Sequence, residues 1–171
     1  AHDYSYSVIG DHTPARLALA EAALQAATRL RPDAGETHLA RANYLYYCLR
    51  DYNGALTELE MARHSLPNDP RLFELTGYIL RRRGQQEEGL RNLERAVELD
   101  PRNVDTLQQL AISYHFLRRY PEKAAVLDRA LTIVPNDVAT KTTRALVDFY
   151  WKAETQPLHY AIDSILTTNP G

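Results

Sequence analysis

The sequence predicts an all-α fold, an array of antiparallel helix pairs stacked along one direction. Two observations carry this. Prolines fall at Pro32, Pro67, Pro101, Pro135 and Pro170, at spacings of 35, 34, 34 and 35 residues. Breakers on a fixed period of that length mark repeated supersecondary units, none of which can bury its apolar face alone. Within each period the apolar residues recur at three-and-four steps, as in Leu39, Ala42, Asn43 and Tyr46, or Phe73, Thr76, Gly77 and Leu80. That is the spacing of one helix face.

The 171 residues divide as a single domain of five units, 1–32, 33–67, 68–101, 102–135 and 136–170. The first is degenerate: Tyr4–Ile9 stands for its first helix, Gly10-Asp11-His12 connects, and Pro14 to Arg31 forms its second. Thr13-Pro14 and Asp69-Pro70 each place a capping side chain before a proline at the first helical position, where the missing N–H costs nothing. Asn103 and Asn136-Asp137 cap without proline. Arg50–Gly54 and Arg83-Gly84-Gln85 break the two helices of their units. The fifth unit is again degenerate, and its register between Thr142 and Tyr150 fits two alignments one residue apart.

Recurring small residues have a packing reason, since close helix crossings leave no room for a large side chain. Asn43, Gly77 and Ala111 share one such place, and Ala62, Ala96 and Ala130 another. The bulky residues expected to fill the holes are Leu59, Phe73, Leu93, Tyr114 and Leu127. The same places hold Leu24 and Ala27 early in the chain, and Ile162 and Ile165 late in it.

These residues resemble the tetratricopeptide-repeat pattern, W-x2-L-G-x2-Y…A-x3-F…P on a 34-residue period. The third unit carries Phe73-x2-Thr76-Gly77-x2-Leu80…Gly89-x3-Leu93-x2-Ala96…Pro101. The fourth carries Leu107-x2-Leu110-Ala111-x2-Tyr114…Leu127-x2-Ala130…Pro135. Lys123 departs from it, standing where the family prefers alanine, so either the helix tilts or the lysine stem snorkels. The segments at 11–23 and 48–60 are also similar in flavour to repeat arrays of bacterial signalling proteins.

The resemblance implies an α-solenoid, a right-handed superhelix whose first helices line a concave groove for an extended peptide. Following groove positions by one period links Tyr44, Tyr78 and Ile112, then Tyr47, Arg81 and His115. It also links Thr37, Arg71 and Asp105, then Ala40, Glu74 and Gln108, then Arg41, Leu75 and Gln109. The expected partner-binding set is therefore Arg41, Tyr44, Tyr47, Arg71, Glu74, Tyr78, Arg81, Gln108, Gln109, Ile112 and His115. Tyrosine gives broad contact at low entropic cost and arginine forks onto carboxylates, so a peptide of some acidic character is expected. The family's chaperone-type carboxylate clamp is missing. Its places hold Ala40, Tyr44, Leu75, Asp105 and Gln109.

Composition narrows the remaining classes. Lys+Arg at 20 against Asp+Glu at 22 gives a net charge of −2, which argues against nucleic acid and against a polybasic membrane anchor. No apolar run reaches the roughly 18 residues of a membrane span. The six histidines are scattered without ligand spacing, no phosphate-cradling loop is present, and the lone Cys48 reads as a small buried thiol, so no cofactor, no metal and no catalysis are expected. Arg81-Arg82-Arg83 reads as cations complementing a helix C-terminus. The expected function is a non-catalytic protein-interaction module. The alternatives are a regulatory segment of a larger kinase, cyclase or transcription regulator, and a scaffold that self-associates through uncapped ends. A cytoplasmic setting is favoured, with a periplasmic one suiting a segment of a membrane-anchored protein.

Overall fold

A computed structural model describes residues 13–168. The expected short helix Tyr4–Ile9 and the closing Pro170 lie outside these residues. Within them the helices are α1 (Pro14–Leu30), α2 (Gly35–Tyr44), α3 (Tyr52–Arg63), α4 (Pro70–Arg82) and α5 (Gln86–Leu99). They continue with α6 (Val104–Phe116), α7 (Tyr120–Ile133), α8 (Val138–Lys152) and α9 (Gln156–Thr168), and no strand occurs among the described residues.

The four starts at which the sequence places a capping residue are capped as predicted. The Thr13 Oγ1 accepts from the Arg16 amide at 3.3 Å, Asp69 Oδ1 from Arg71 at 3.0 Å, Asn103 Oδ1 from Thr106 at 3.1 Å and Asp137 Oδ2 from Thr140 at 2.7 Å. Each cap satisfies an amide with no partner inside its helix. First helices end on a left-handed residue that also follows the period, Arg50, Gly84 and Arg118, with φ of 56°, 81° and 56°. The amide immediately before each following helix gains an acceptor there: Gln85 N–H donates to Leu80 O and Arg119 N–H to Tyr114 O, both at 2.9 Å. Of the three only Gly84 occupies that backbone region without a Cβ penalty.

Packing runs between helices adjacent in sequence, α4 against α5, α2 against α3, α6 against α7 and so on down the chain. Leu59, Leu93 and Leu127 are at most 2% exposed, and Ala62, Ala96 and Ala130 at most 1%. Burying each leucine contributes roughly 1.5–3 kcal/mol. At the α4–α5 crossing, a Cβ on Gly77 would lie 2.7 Å from Leu93 Cγ and 3.0 Å from the Gly89 carbonyl oxygen. Only glycine permits that approach.

Four expectations need correction. Phe73 is half-buried beneath the Arg63 guanidinium, 5.1 Å from its ring centre, and the neighbouring Leu72 and Leu75 take the interior instead. Cys48 is half-buried, on a π-helical turn, and so is not an interior thiol. Asn43 is half-buried and its side-chain amide donates to Leu39 O at 2.8 Å, while Ala42 is fully buried beside Ala55 and Leu59. The reason is a one-residue insertion. Helix α2 starts 35 residues before α4, but α3 starts 34 before α5, and the extra residue is absorbed by the π-helical turn Leu45–Leu49.

Lys123 supplies the fourth correction. It stands one period after Gly89 and two after Ala55, both buried, and its side chain does not snorkel to solvent: the residue is only 5% exposed. Later in the chain, Ala145, one period after Ala111, is buried, which settles the register of α8 through that residue. The extra residue of the last unit enters between Ala145 and the left-handed Ala153, at φ 59°.

Candidate functional site

First helices of three successive units meet at a cleft of about 200 Å³. Tyr46 and Tyr47 come from the π-helical turn, Tyr78, Arg81 and Arg82 from α4, and Asp105, Gln108 and Gln109 from α6. The π turn is what brings two adjacent tyrosines here. Their rings meet edge to face at 4.7 Å, and Tyr46 Oη accepts from Arg82 Nε at 2.8 Å. Ahead of that turn the chain is one residue out of phase with α4, about 100° of helix rotation. Tyr44 consequently does not line the cleft, whereas Tyr46, read from sequence as core, does.

Several residues expected to face a partner also hold the helices to one another. Glu74 Oε1 accepts from Asn103 Nδ2 at 3.3 Å and from the Thr106 hydroxyl. One period later Gln108 Nε2 donates to Thr140 Oγ1 at 2.7 Å and to Asp137 Oδ2 at 3.2 Å. The same position thus reaches the capping residue and the following threonine of the next first helix. Arg81 bridges α4 to α6 as well, donating to Gln109 O at 3.0 Å, Gln109 Oε1 at 2.7 Å and Ser113 Oγ at 3.2 Å. Arg41 pairs with Glu58 at 3.3 Å, and Glu58 also meets His38 at 2.7 Å. Arg71 chelates Asp69, its own cap, with Nε 2.9 Å from Oδ1.

These bonds set the electrostatics. Burial, aided by Glu74, pushes the Tyr78 phenol far above the ordinary tyrosine range, so it stays a neutral hydroxyl. Burial also lowers the Arg81 guanidinium. The hydrogen bond to Tyr46 raises Arg82, which remains exposed at the cleft edge. Burial raises the Glu74 carboxyl, and Asp100, Asp105 and Asp69 add to it.

A second hollow continues from Arg81 and Arg82 along α6, lined by Gln86, Ile112 and Phe116. Ile112 and Phe116 are 39% and 59% exposed, one helical turn apart on the same face. Beyond them His115 packs edge-on against Tyr150 of α8 at 5.0 Å, and its Nδ1 lies 3.3 Å from Lys123 Nζ. Phe116 and Arg82 were not expected here, though Phe116 sits four residues after Ile112. Among the described residues no group of three His, Cys, Asp or Glu side chains could hold a metal, and no helix is long and apolar enough to cross a membrane.

Helix pairs on a 34-residue period, capped alike and crossing on small residues, define a tetratricopeptide-repeat α-solenoid. Solved structures of that fold superpose on the chain. The APC/C hetero-tetramer Cut9–Hcn1 matches at TM-score 0.77 and 19% identity, covering 99% of this chain and 32% of that one. MamA matches at 0.71 and 14% identity, over 86% and 85%. YrrB, a TPR protein with an unusual peptide-binding site, matches at 0.67 and 19%, over 91% and 77%. No protein-family model matches. A BBSome complex member, a BBS4 homolog of Drosophila melanogaster, is 29% identical over 89 residues, 51% of this chain and 18% of that protein. The chain therefore spans less than a fifth of that relative.

Proposed function

We propose that the chain is a non-catalytic protein-interaction module that holds an extended peptide along its first helices. The observation that carries this is the continuous strip from the Tyr46–Tyr47–Tyr78 cleft through Arg82 to the exposed Ile112 and Phe116. Rigid aromatic faces beside a cation and an apolar ledge are the composition of a binding hot spot. Most polar groups of the strip are already fixed by bonds between units, so the surface is preorganised and little ordering entropy opposes binding. YrrB, of the same fold, has a peptide-binding site. The test is selection of binders from a random displayed library of twelve-residue peptides, followed by titration of a selected peptide against variants. Arg82→Glu should weaken it by roughly tenfold, as loss of a charge-assisted contact does. Glu87→Lys, exposed on α5, should leave it unchanged. Equal affinity for all three proteins refutes the reading.

Self-association is favoured by one separate observation. Trp151, Tyr160 and Leu166 near the last helix pair are 47%, 66% and 62% exposed, more apolar surface than a solvated helix needs. Sedimentation across a hundredfold concentration range should then show a reversible dimer, removed by Leu166→Glu. A monomer throughout sinks this second reading.

A further inference from the structure

We infer that the His115–Lys123 corner of the strip is a carboxylate-binding subsite, taking one acidic group of the bound peptide; this rests on the groove reading above. Lys123 is buried in a place where the two preceding units carry Ala55 and Gly89. A charge there is a cost that the fold does not require. Among the described residues no carboxylate pairs with it. The adjacent Glu122 is engaged by Arg119 at 2.8 Å. The ammonium donates to His115 Nδ1 at 3.3 Å, which leaves the imidazole proton on Nε2, and it stands 5.7 Å from the Tyr150 ring centre. An ammonium offers three donors, and one is used.

The surroundings deepen the deficit. Lys123 lies in the first turn of α7, where the unpaired amides already present positive charge. His115 is lowered by its own burial and by Lys123, so it stays a neutral acceptor and brings no charge to offset the ammonium. The His115 ring packs against the exposed Phe116 at 6.3 Å and the exposed Tyr150 at 5.0 Å, and Phe116 in turn shares a hollow with Arg81, Arg82 and Ile112. Two missing donors' worth of acceptor and one missing negative charge are what a carboxylate supplies, and the apolar ledge suits the chain that carries it. This differs from the family's clamp, whose places are occupied by other residue types.

The probes are N-acetyl-phenylalanine, with a terminal carboxylate, N-acetyl-aspartyl-phenylalanine amide, with a side-chain one, and N-acetyl-phenylalanine amide, with neither. Binding is followed by the His115 ring signals in NMR on the full chain. The expected result is a saturable shift with one or both acids, at least about tenfold tighter than with the amide. Which acid binds identifies whether a chain end or a side chain is taken. Lys123→Met keeps the stem and should abolish the acid preference while the fold persists. Equal shifts by acid and amide, or an unchanged preference in Lys123→Met, overturn the subsite. If a selected peptide depends on Arg82 while no acid-specific shift occurs, the subsite fails alone and the groove reading stands. An acid-specific shift with no Arg82-dependent peptide keeps the subsite and refutes the groove.

Discussion

Replacing Lys123 by methionine should make the protein more stable, and by a measurable amount. Methionine is unbranched and of similar length, so it keeps the packing of the lysine stem while deleting the charge. The effective penalty for a buried ion is several kcal/mol. Against it stand one hydrogen bond at 3.3 Å and a ring contact at 5.7 Å. These return roughly 1 kcal/mol and about 0.5–1 kcal/mol. The helix terminus subtracts a few tenths more. The balance is about 2 kcal/mol in favour of methionine, or a Tm increase of roughly 4–8 °C for a chain of this size. Burial holds the Lys123 ammonium below its ordinary value of 10.5. Between that lowered value and 10.5 the unfolded chain binds more protons than the folded one, so wild-type stability rises with pH in that window. The variant lacks the group. The gap should therefore be larger at pH 7 than at about pH 11, above the ordinary lysine value. Urea unfolding of both proteins at the two pH values measures it. A variant no more stable than wild type, or a gap of the same size at both pH values, refutes the reasoning.

Two further substitutions probe the architecture. Gly77→Val should destabilise by about 2–3 kcal/mol, because its Cβ alone would meet Leu93 Cγ at 2.7 Å and the Gly89 carbonyl at 3.0 Å; an unchanged melting temperature contradicts the crossing. Arg118→Gly should stabilise by about 0.5–1 kcal/mol, since it relieves a left-handed residue at φ 56° and returns part of the gain to the unfolded chain. A loss of stability would show that the Arg118 side chain contributes more than its backbone costs.

The fold was legible because its signals are local and repeated. Pro67, Pro101 and Pro135 stop helices, Asp69, Asn103 and Asp137 start them, and Leu59, Leu93 and Leu127 occupy one buried place in three successive units. The cleft was legible in part. Tyr47, Tyr78, Gln108 and Gln109 line it as the 34-residue period places them, but Tyr44 does not. The insertion that displaces Tyr44 carries no glycine or proline to announce it. LYYCL keeps an apolar spacing that an ordinary helix would also satisfy. The polar positions carry a second role. Periodicity shows which residues leave the core, but not whether they also reach the next unit, as Glu74 does and as Arg81 and Gln108 do while lining the cleft. Lys123 was marked only as a departure from pattern. Its isolation from every described carboxylate is a property of α6, α7 and α8 together.

The most direct test of the central claim is a titration of the isotopically labelled protein with a library-selected peptide, followed by backbone amide shifts. The account predicts the largest changes along the first helices, at Tyr46, Tyr47, Tyr78, Arg82, Gln109 and Ile112. Changes concentrated on the second helices α3, α5 and α7, or on α9, would contradict it.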